Sequence, residues 1–263
     1  MNKKTWIIVI AVLAVLAIGL GVYFLTRPKT ESVPGKDTLV IATEGNWSPW
    51  TYHDVNGVLT GFDIEIGNLI AEGLGLKAEF KEVPWESILV GVETGTFDIA
   101  CNGVGYTAER AEKFLFTDPY VYTEAVLVVR KDNKDIESLE DLKGKKTSNS
   151  PNSTYAQRAE AMGATVVYVD TLGETMMMVE DGRVDATINA KGSVDEYLEQ
   201  HPDANLKIVE VMPGDPVCFP VAKGPESDAL VAAVNEILRE LRENGTLAEL
   251  SIRFFGADLT NPQ

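Results

Sequence analysis

The sequence predicts an α/β protein of two lobes, each a sheet with crossover helices, joined by a two-stranded hinge. Short β-type runs alternate with helical stripes along the chain, which implies parallel strands linked by helices. The charged stretch Arg130 to Asp135 divides one such series from a second. A β-type return at 217–222 then precedes a final amphipathic helix.

The first unit begins near Asp37. Leu39 to Ala42 is a brief apolar strand, and Phe62 to Leu74 is a helix with its stripe at Ile66, Leu69, Ile70 and Leu74, closed by Gly75. Ala78 to Val83 alternates as a strand. Ser87 to Glu93 turns Ile88, Leu89 and Val92 inward as a helix, and Phe97 to Ala100 is another short strand. Ala125 to Val129 is an unbroken apolar strand. The second unit carries a turn-helix at Leu139 to Leu142, strands at Lys145 to Asn149, Thr165 to Val169 and Ala186 to Ile188, and helices at Thr154 to Met162 and Glu174 to Glu180. Asp228 to Glu243 places Leu230, Val234, Ile237, Leu238 and Leu241 on one face and stops at Asn244-Gly245. The expected division is lobe 1 at 37–124 and 223–263, lobe 2 at 131–216, and hinges at 125–130 and 217–222. A single doubly wound sheet without a hinge is the alternative.

Ahead of this lies Asn-Lys-Lys-Thr, then twenty apolar or Gly residues from Trp6 to Leu25, then Arg27-Pro28-Lys29. Residues 1–29 are expected to be a signal peptide or membrane anchor that sends the globular part outward. The anchor is favoured because the run is long enough to span a bilayer and shows no clear Ala-x-Ala. Residues 30–36 read as a tether.

Forty acidic residues against 23 basic ones give a formal charge of −17, a field that repels nucleic acid. Cys101 and Cys218 belong to no metal-binding pattern and stand either as a disulfide of an exported protein or as two separate core residues. His53 and His201 have no partner at catalytic spacing, and nucleophile-elbow, Walker and dinucleotide fingerprints are lacking. No catalytic residue, cofactor or metal is expected. Met176-Met177-Met178 reads as packing.

The segment Asn102-Gly-Val-Gly-Tyr-Thr-Ala-Glu-Arg110 is the most informative. A strand ends, Gly103 and Gly105 let backbone approach a ligand, Thr107 caps a helix, and Arg110 offers a two-pronged grip suited to a carboxylate. The alternative pairs Arg110 with Glu109 or Glu112 on a solvated face. Trp47, Trp50, Tyr52 and Trp85 supply flat apolar area where clefts in open α/β sheets lie, unless they are core. Ser150-Pro-Asn-Ser153-Thr154 forms a second polar strand-to-helix turn, able to cap its helix and to donate to a ligand.

Leu39-Val-Ile-Ala-Thr-Glu44, Trp47-Ser-Pro-Trp, Gly61-Phe-Asp-Ile-Glu, Phe97-Asp-Ile-Ala, Thr107-Ala-Glu-Arg, Phe116-Thr-Asp-Pro-Tyr120, Leu139-Glu-Asp-Leu-Lys-Gly-Lys145 and Gly182-Arg-Val-Asp-Ala186 follow in order. The series resembles the family 3 bacterial solute-binding proteins of polar amino-acid ABC transporters, and looks closest to the cystine-type members. The resemblance implies a type II periplasmic-binding-protein fold that closes on an amino acid or related carboxylate and hands it to an ABC permease with its ATPase. It implies that Arg110 grips the α-carboxylate, that Gly103 and Gly105 make backbone contacts, and that Glu44 is an acid near the ligand. Trp47 and Trp85 would then be aromatic walls, and Ser153 with Thr154 carboxylate-binding hydroxyls. Asn102, Ser150 and Asn189 complete the expected ligand-binding set.

One departure concerns the ligand's α-ammonium. Where the family usually places an aspartate for it, the chain reads Ile188-Asn189-Ala190-Lys191. Either Glu44 or another acid supplies the charge, or the ligand is not a standard α-amino acid. The polar run Thr147-Ser-Asn-Ser150 in an expected buried strand is a second oddity. A dehydratase-like enzyme using Glu44 as general acid, or a ligand-sensing ectodomain, are the alternatives to a transport receptor.

Overall fold

Alternation of strand and helix becomes crossover packing, because each helix buries its apolar stripe on a sheet face. The computed structural model describes residues 36–262. β1 (Thr38–Thr43) leads to a small meander of β2 (Asn46–Trp47), β3 (Thr51–His53) and β4 (Leu59–Thr60), followed by α1 (Phe62–Leu74). β5 (Lys77–Glu82), α2 (Trp85–Glu93) and β6 (Ile99–Ala100) follow, and the three-stranded sheet runs β5-β1-β6 with parallel pairing. A short α3 (Ala108–Lys113) and β7 (Phe114–Phe116) close this part.

β8 (Val121–Arg130) then runs into the second sheet, with β9 (Lys146–Asn149), α4 (Thr154–Ala161), β10 (Thr165–Tyr168), α5 (Leu172–Glu180), β11 (Ala186–Ala190), α6 (Lys191–Gln200) and β12 (Leu206–Val217). Its order is β10-β9-β11-β8-β12. β13 (Pro220–Ala222) pairs with β7, and α7 (Ser227–Glu243) and α8 (Thr246–Phe255) finish the described chain.

Two packing facts show how the chain is partitioned. Leu39, Ile41, Phe62, Ile66 and Ile70 share a core with Phe219, Val234, Ile237 and Leu241, so the C-terminal helices return to the first sheet. In β8, Ala125, Leu127 and Val129 enter a core with Ala186 and Ile188, while Val126 and Val128 enter another with Met176, Val179 and Val194. Apolar contact on both faces is why 125–129 reads as a continuous hydrophobic run. The stretch 125–130, expected as a hinge, therefore lies inside the second sheet. Within 217–222, Val217, Phe219 and Val221 pack in the first core.

Several elements escape sequence periodicity. β12 contains Pro213 and Pro216, which argue against a strand. It is an edge strand with a register irregularity between those prolines, the place where a sheet tolerates a missing donor. α6 follows β11 directly and α8 follows only Asn244-Gly245, so little local signal sets either apart from the element before it. Residues 1–29, expected as signal or anchor, lie outside the described residues. Among the described residues no helix is long and apolar enough to cross a membrane. Cys101 and Cys218 are buried and unbridged, the second of the two alternatives. Met176 is fully buried, whereas Met177 is 52% exposed.

Candidate functional site

A cavity opens between the two sheets, lined from both. Its lining includes Glu44, Trp47, Trp85, Asn102, Gly103, Gly105 and Arg110 from the first sheet's side, and Ser150, Ser153, Thr154 and Asn189 from the second. The eleven residues of the expected ligand-binding set all line this cavity.

The Gly-containing loop after β6 is built by a buried polar network. The Asn102 amide oxygen accepts the Glu44 backbone N–H at 2.8 Å, and its Nδ2 donates to Glu44 Oε2 at 2.7 Å. Burial pushes the Glu44 carboxyl up, against the lowering effect of Asn102 and the Trp85 N–H at the start of α2. Gly103 sits at φ +56°, and a Cβ there would meet the Trp47 ring at 2.8 Å and the Trp50 ring at 3.0 Å. Only glycine gives the chain this turn against two stacked indoles. The Gly103 N–H donates to Asp63 Oδ2 at 2.7 Å, while the Tyr120 hydroxyl donates to Asp63 Oδ1 at 2.8 Å. Burial pushes that carboxyl up to about 7 even though both bonds favour ionisation. A Cβ on Gly105 would come within 3.0 Å of Asp215.

Thr107 Oγ1 accepts the Arg110 backbone N–H at 3.1 Å and so starts α3, as its type and position predict. The Arg110 side chain then turns inward. Only 8% of the residue is exposed; Nη1 donates to the Gly105 carbonyl at 2.8 Å and Nη2 to the Asn152 carbonyl at 2.9 Å. This geometry overturns the alternative of a solvated pair with Glu109 or Glu112. Burial pulls the guanidinium's pKa down, and the charges of Asp215 and Glu109 oppose it. The Trp85 ring lies 5.5 Å from the guanidinium carbon, and its Nε1 donates to the Pro151 carbonyl at 2.9 Å. Trp47 stacks on Trp50 at 5.5 Å; Trp50 is core as well as wall, being 1% exposed, and Tyr52 does not line the cavity.

Opposite, Ser153 Oγ accepts the Ala156 N–H at 3.1 Å and caps α4, leaving its hydroxyl proton free to donate. Ser150 Oγ donates to the Asp170 carbonyl at 3.4 Å, and Asn189 Oδ1 accepts the Ala190 N–H at 2.9 Å. The N-termini of α2, α4 and α5 all reach the cavity, through Trp85, Ser153 with Thr154, and Thr171 with Leu172. Their dipoles favour an anion there. Arg110 is the only basic side chain among the lining residues, so a carboxylate has one charged partner and three helix ends.

Sequence reasoning missed Thr123, Asn149, Tyr155, Asp170, Thr171 and Asp215 in this lining. The capping box of Thr171 and Glu174 was a readable signal for α5 and its polar turn. Thr123 and Asp215 lie at the register irregularity between β8 and β12, where nothing local marks a cavity. Among the described residues no group of three or more His, Cys, Asp or Glu side chains is placed to hold a metal ion.

Residues 39–257 match the model of the bacterial extracellular solute-binding proteins, family 3. A probable amino-acid ABC transporter-binding protein of Haemophilus influenzae is 39% identical over 246 residues, covering 93% of this chain and 95% of its own. The L-cystine-binding protein TcyA of Bacillus subtilis is 40% identical over 232 residues, 87% of this chain and 85% of that protein. Among solved structures, an ancestral arginine-binding protein bound to arginine superposes with a TM-score of 0.77 at 35% identity, covering 84% of this chain and 99% of its own. With the model matched over most of its length and both lobes lining one cavity, this chain belongs to the bacterial extracellular solute-binding proteins, family 3.

Proposed function

We propose that the protein is the extracytoplasmic receptor of an amino-acid ABC importer, closing its two lobes on an amino acid or related small carboxylate and passing it to the permease and its ATPase. The observation that carries this reading is Arg110: a nearly buried guanidinium at the wall between two sheets, bonded to carbonyls on both sides. In the reading, the ligand carboxylate lies between Arg110 and the helix ends of α4, with Gly103 and Gly105 offering backbone and Trp47 and Trp85 forming walls. Glu44, Asn102, Ser150, Ser153, Thr154 and Asn189 contribute the remaining polar surface. The relatives are binding proteins, which supports a receptor over a dehydratase-like enzyme.

The proposed lobe boundary differs from the one expected from sequence. Val121 packs in the first core and Ala125 in the second; Met212 packs in the second and Val217 in the first. The crossings are therefore 122–124 and 213–216, adjacent because Glu124 pairs with Pro213 and Tyr122 with Pro216. Short, irregular, paired crossings suit a hinge. We further propose that residues 1–29 direct export and hold the protein at the membrane.

The test is a thermal-shift screen with the common amino acids, cystine and small carboxylates. A ligand that stabilises the wild type should lose its shift in Arg110→Ala. An Arg110→Ala protein that keeps the full shift would remove the guanidinium from the binding reaction.

A further inference from the structure

Within the cavity lining, most polar atoms are already satisfied by the protein. Two buried ones are not: Trp50 Nε1, a donor, and Asn149 Oδ1, an acceptor. Asn149 is 1% exposed at the end of β9, and its Nδ2 donates to the Ile188 carbonyl at 2.7 Å. That bond commits the amide nitrogen to the protein and leaves the oxygen as the free end of the group. A buried acceptor without a partner is costly, and a cavity is where a ligand can satisfy it.

Of the carboxylates in the lining, Glu44 accepts from Asn102, Asp215 faces Arg158 at 3.5 Å, and Asp170 stands at an exposed position. The strand beside Asn149 ends at Asn189 and Ala190 and offers no acid, with the Asn189 oxygen taken by the Ala190 N–H. Asn149 also begins the turn whose Asn152 carbonyl is held by Arg110, so acceptor and guanidinium belong to one neighbourhood.

We propose that Asn149 is a specificity-determining residue whose uncharged amide oxygen receives the N–H of the ligand's α-nitrogen while Arg110 holds its carboxylate. The inference rests on the receptor reading above and names its ligand class: amino acids whose α-nitrogen is either free or acylated, as in the C-terminal residue of a small peptide. A carboxylate at this place would demand an ammonium; an amide oxygen accepts from a charged or an uncharged N–H alike.

Calorimetric titration of the wild type with the common free amino acids and cystine identifies binders, and the Nα-acetyl form of each binder is then titrated. The expected result is a penalty for acetylation within about tenfold in Kd, the scale of one uncharged hydrogen bond. Asn149→Leu should weaken free and acetylated forms together by about tenfold. Asn149→Asp should widen the difference between them beyond about a hundredfold by favouring the charged nitrogen. A wild-type acetylation penalty above about a hundredfold, or an Asn149→Leu protein with unchanged Kd, overturns the inference and leaves the receptor reading standing. Failure of every free amino acid and cystine to bind overturns the inference, and the receptor reading falls with it only if the small carboxylates of the thermal-shift screen fail as well. The wild-type comparison requires no variant, and ligand-free melting curves of both variants separate a lost contact from a lost fold.

Discussion

Asp63→Asn tests the buried support of the ligand loop. Asp63 is fully buried, and its carboxyl is raised from an ordinary 3.8 to about 7 by desolvation. Below the unfolded pKa both states are protonated and the group adds no penalty. As pH rises from there, the unfolded chain releases the proton while the folded one keeps it, so stability declines until the folded carboxyl ionises near 7. Each pH unit corresponds to ~1.4 kcal/mol, so the interval from 3.8 to about 7 amounts to on the order of 4 kcal/mol lost between acid and neutral pH. An asparagine keeps the geometry: its oxygen accepts the Gly103 N–H and its Nδ2 donates to the Tyr120 oxygen. Urea denaturation of both proteins across pH 4 to 8 reads the difference directly, with the other titrating groups cancelling between them. Asp63→Asn should gain on the wild type as pH rises toward 7, by a few kcal/mol, and level off above it. Parallel pH profiles, or an asparagine protein that loses ground toward neutral pH, would refute the idea that burial dominates this carboxyl.

The remaining predictions concern the cavity walls. Gly103→Ala forces a left-handed backbone on a residue whose Cβ would press Trp47 and Trp50. It should destabilise by ~2 kcal/mol or more, seen as a Tm drop of about 4 °C or more by calorimetry, with the ligand shift reduced as well. Trp85→Phe removes the Nε1 donor to the Pro151 carbonyl while keeping an aromatic face against Arg110. Stopped-flow release of the bound ligand should quicken by about fivefold, as for one lost hydrogen bond across the lobes. Unchanged release would mean that this bond does not hold the lobes together.

Much of the site was legible because its residue types have few other uses in that order. A glycine pair after a strand, a threonine three residues before an arginine, and a serine starting the next lobe's helix each impose a local geometry that the structure shows. The strands 38–43 and 186–190 and the helix 62–74 were legible for a similar reason, since their apolar pattern and caps act within a few residues. The proline-containing strand 206–217 was not, because its pairing comes from an edge position that only a distant partner strand supplies.

The sequence by itself determined most of the strands and helices, the placing of Arg110 and two polar strand-to-helix turns as candidates for an anion seat, and that position 190 carries no acid. Tertiary structure alone decided that Val121 joins the first core and Ala125 the second, since that depends on which distant side chains each one meets. It also decided that Asn149, Thr123 and Asp215 face the cavity. Those placements arise from contacts between residues far apart in the chain, and no local pattern of polarity encodes them.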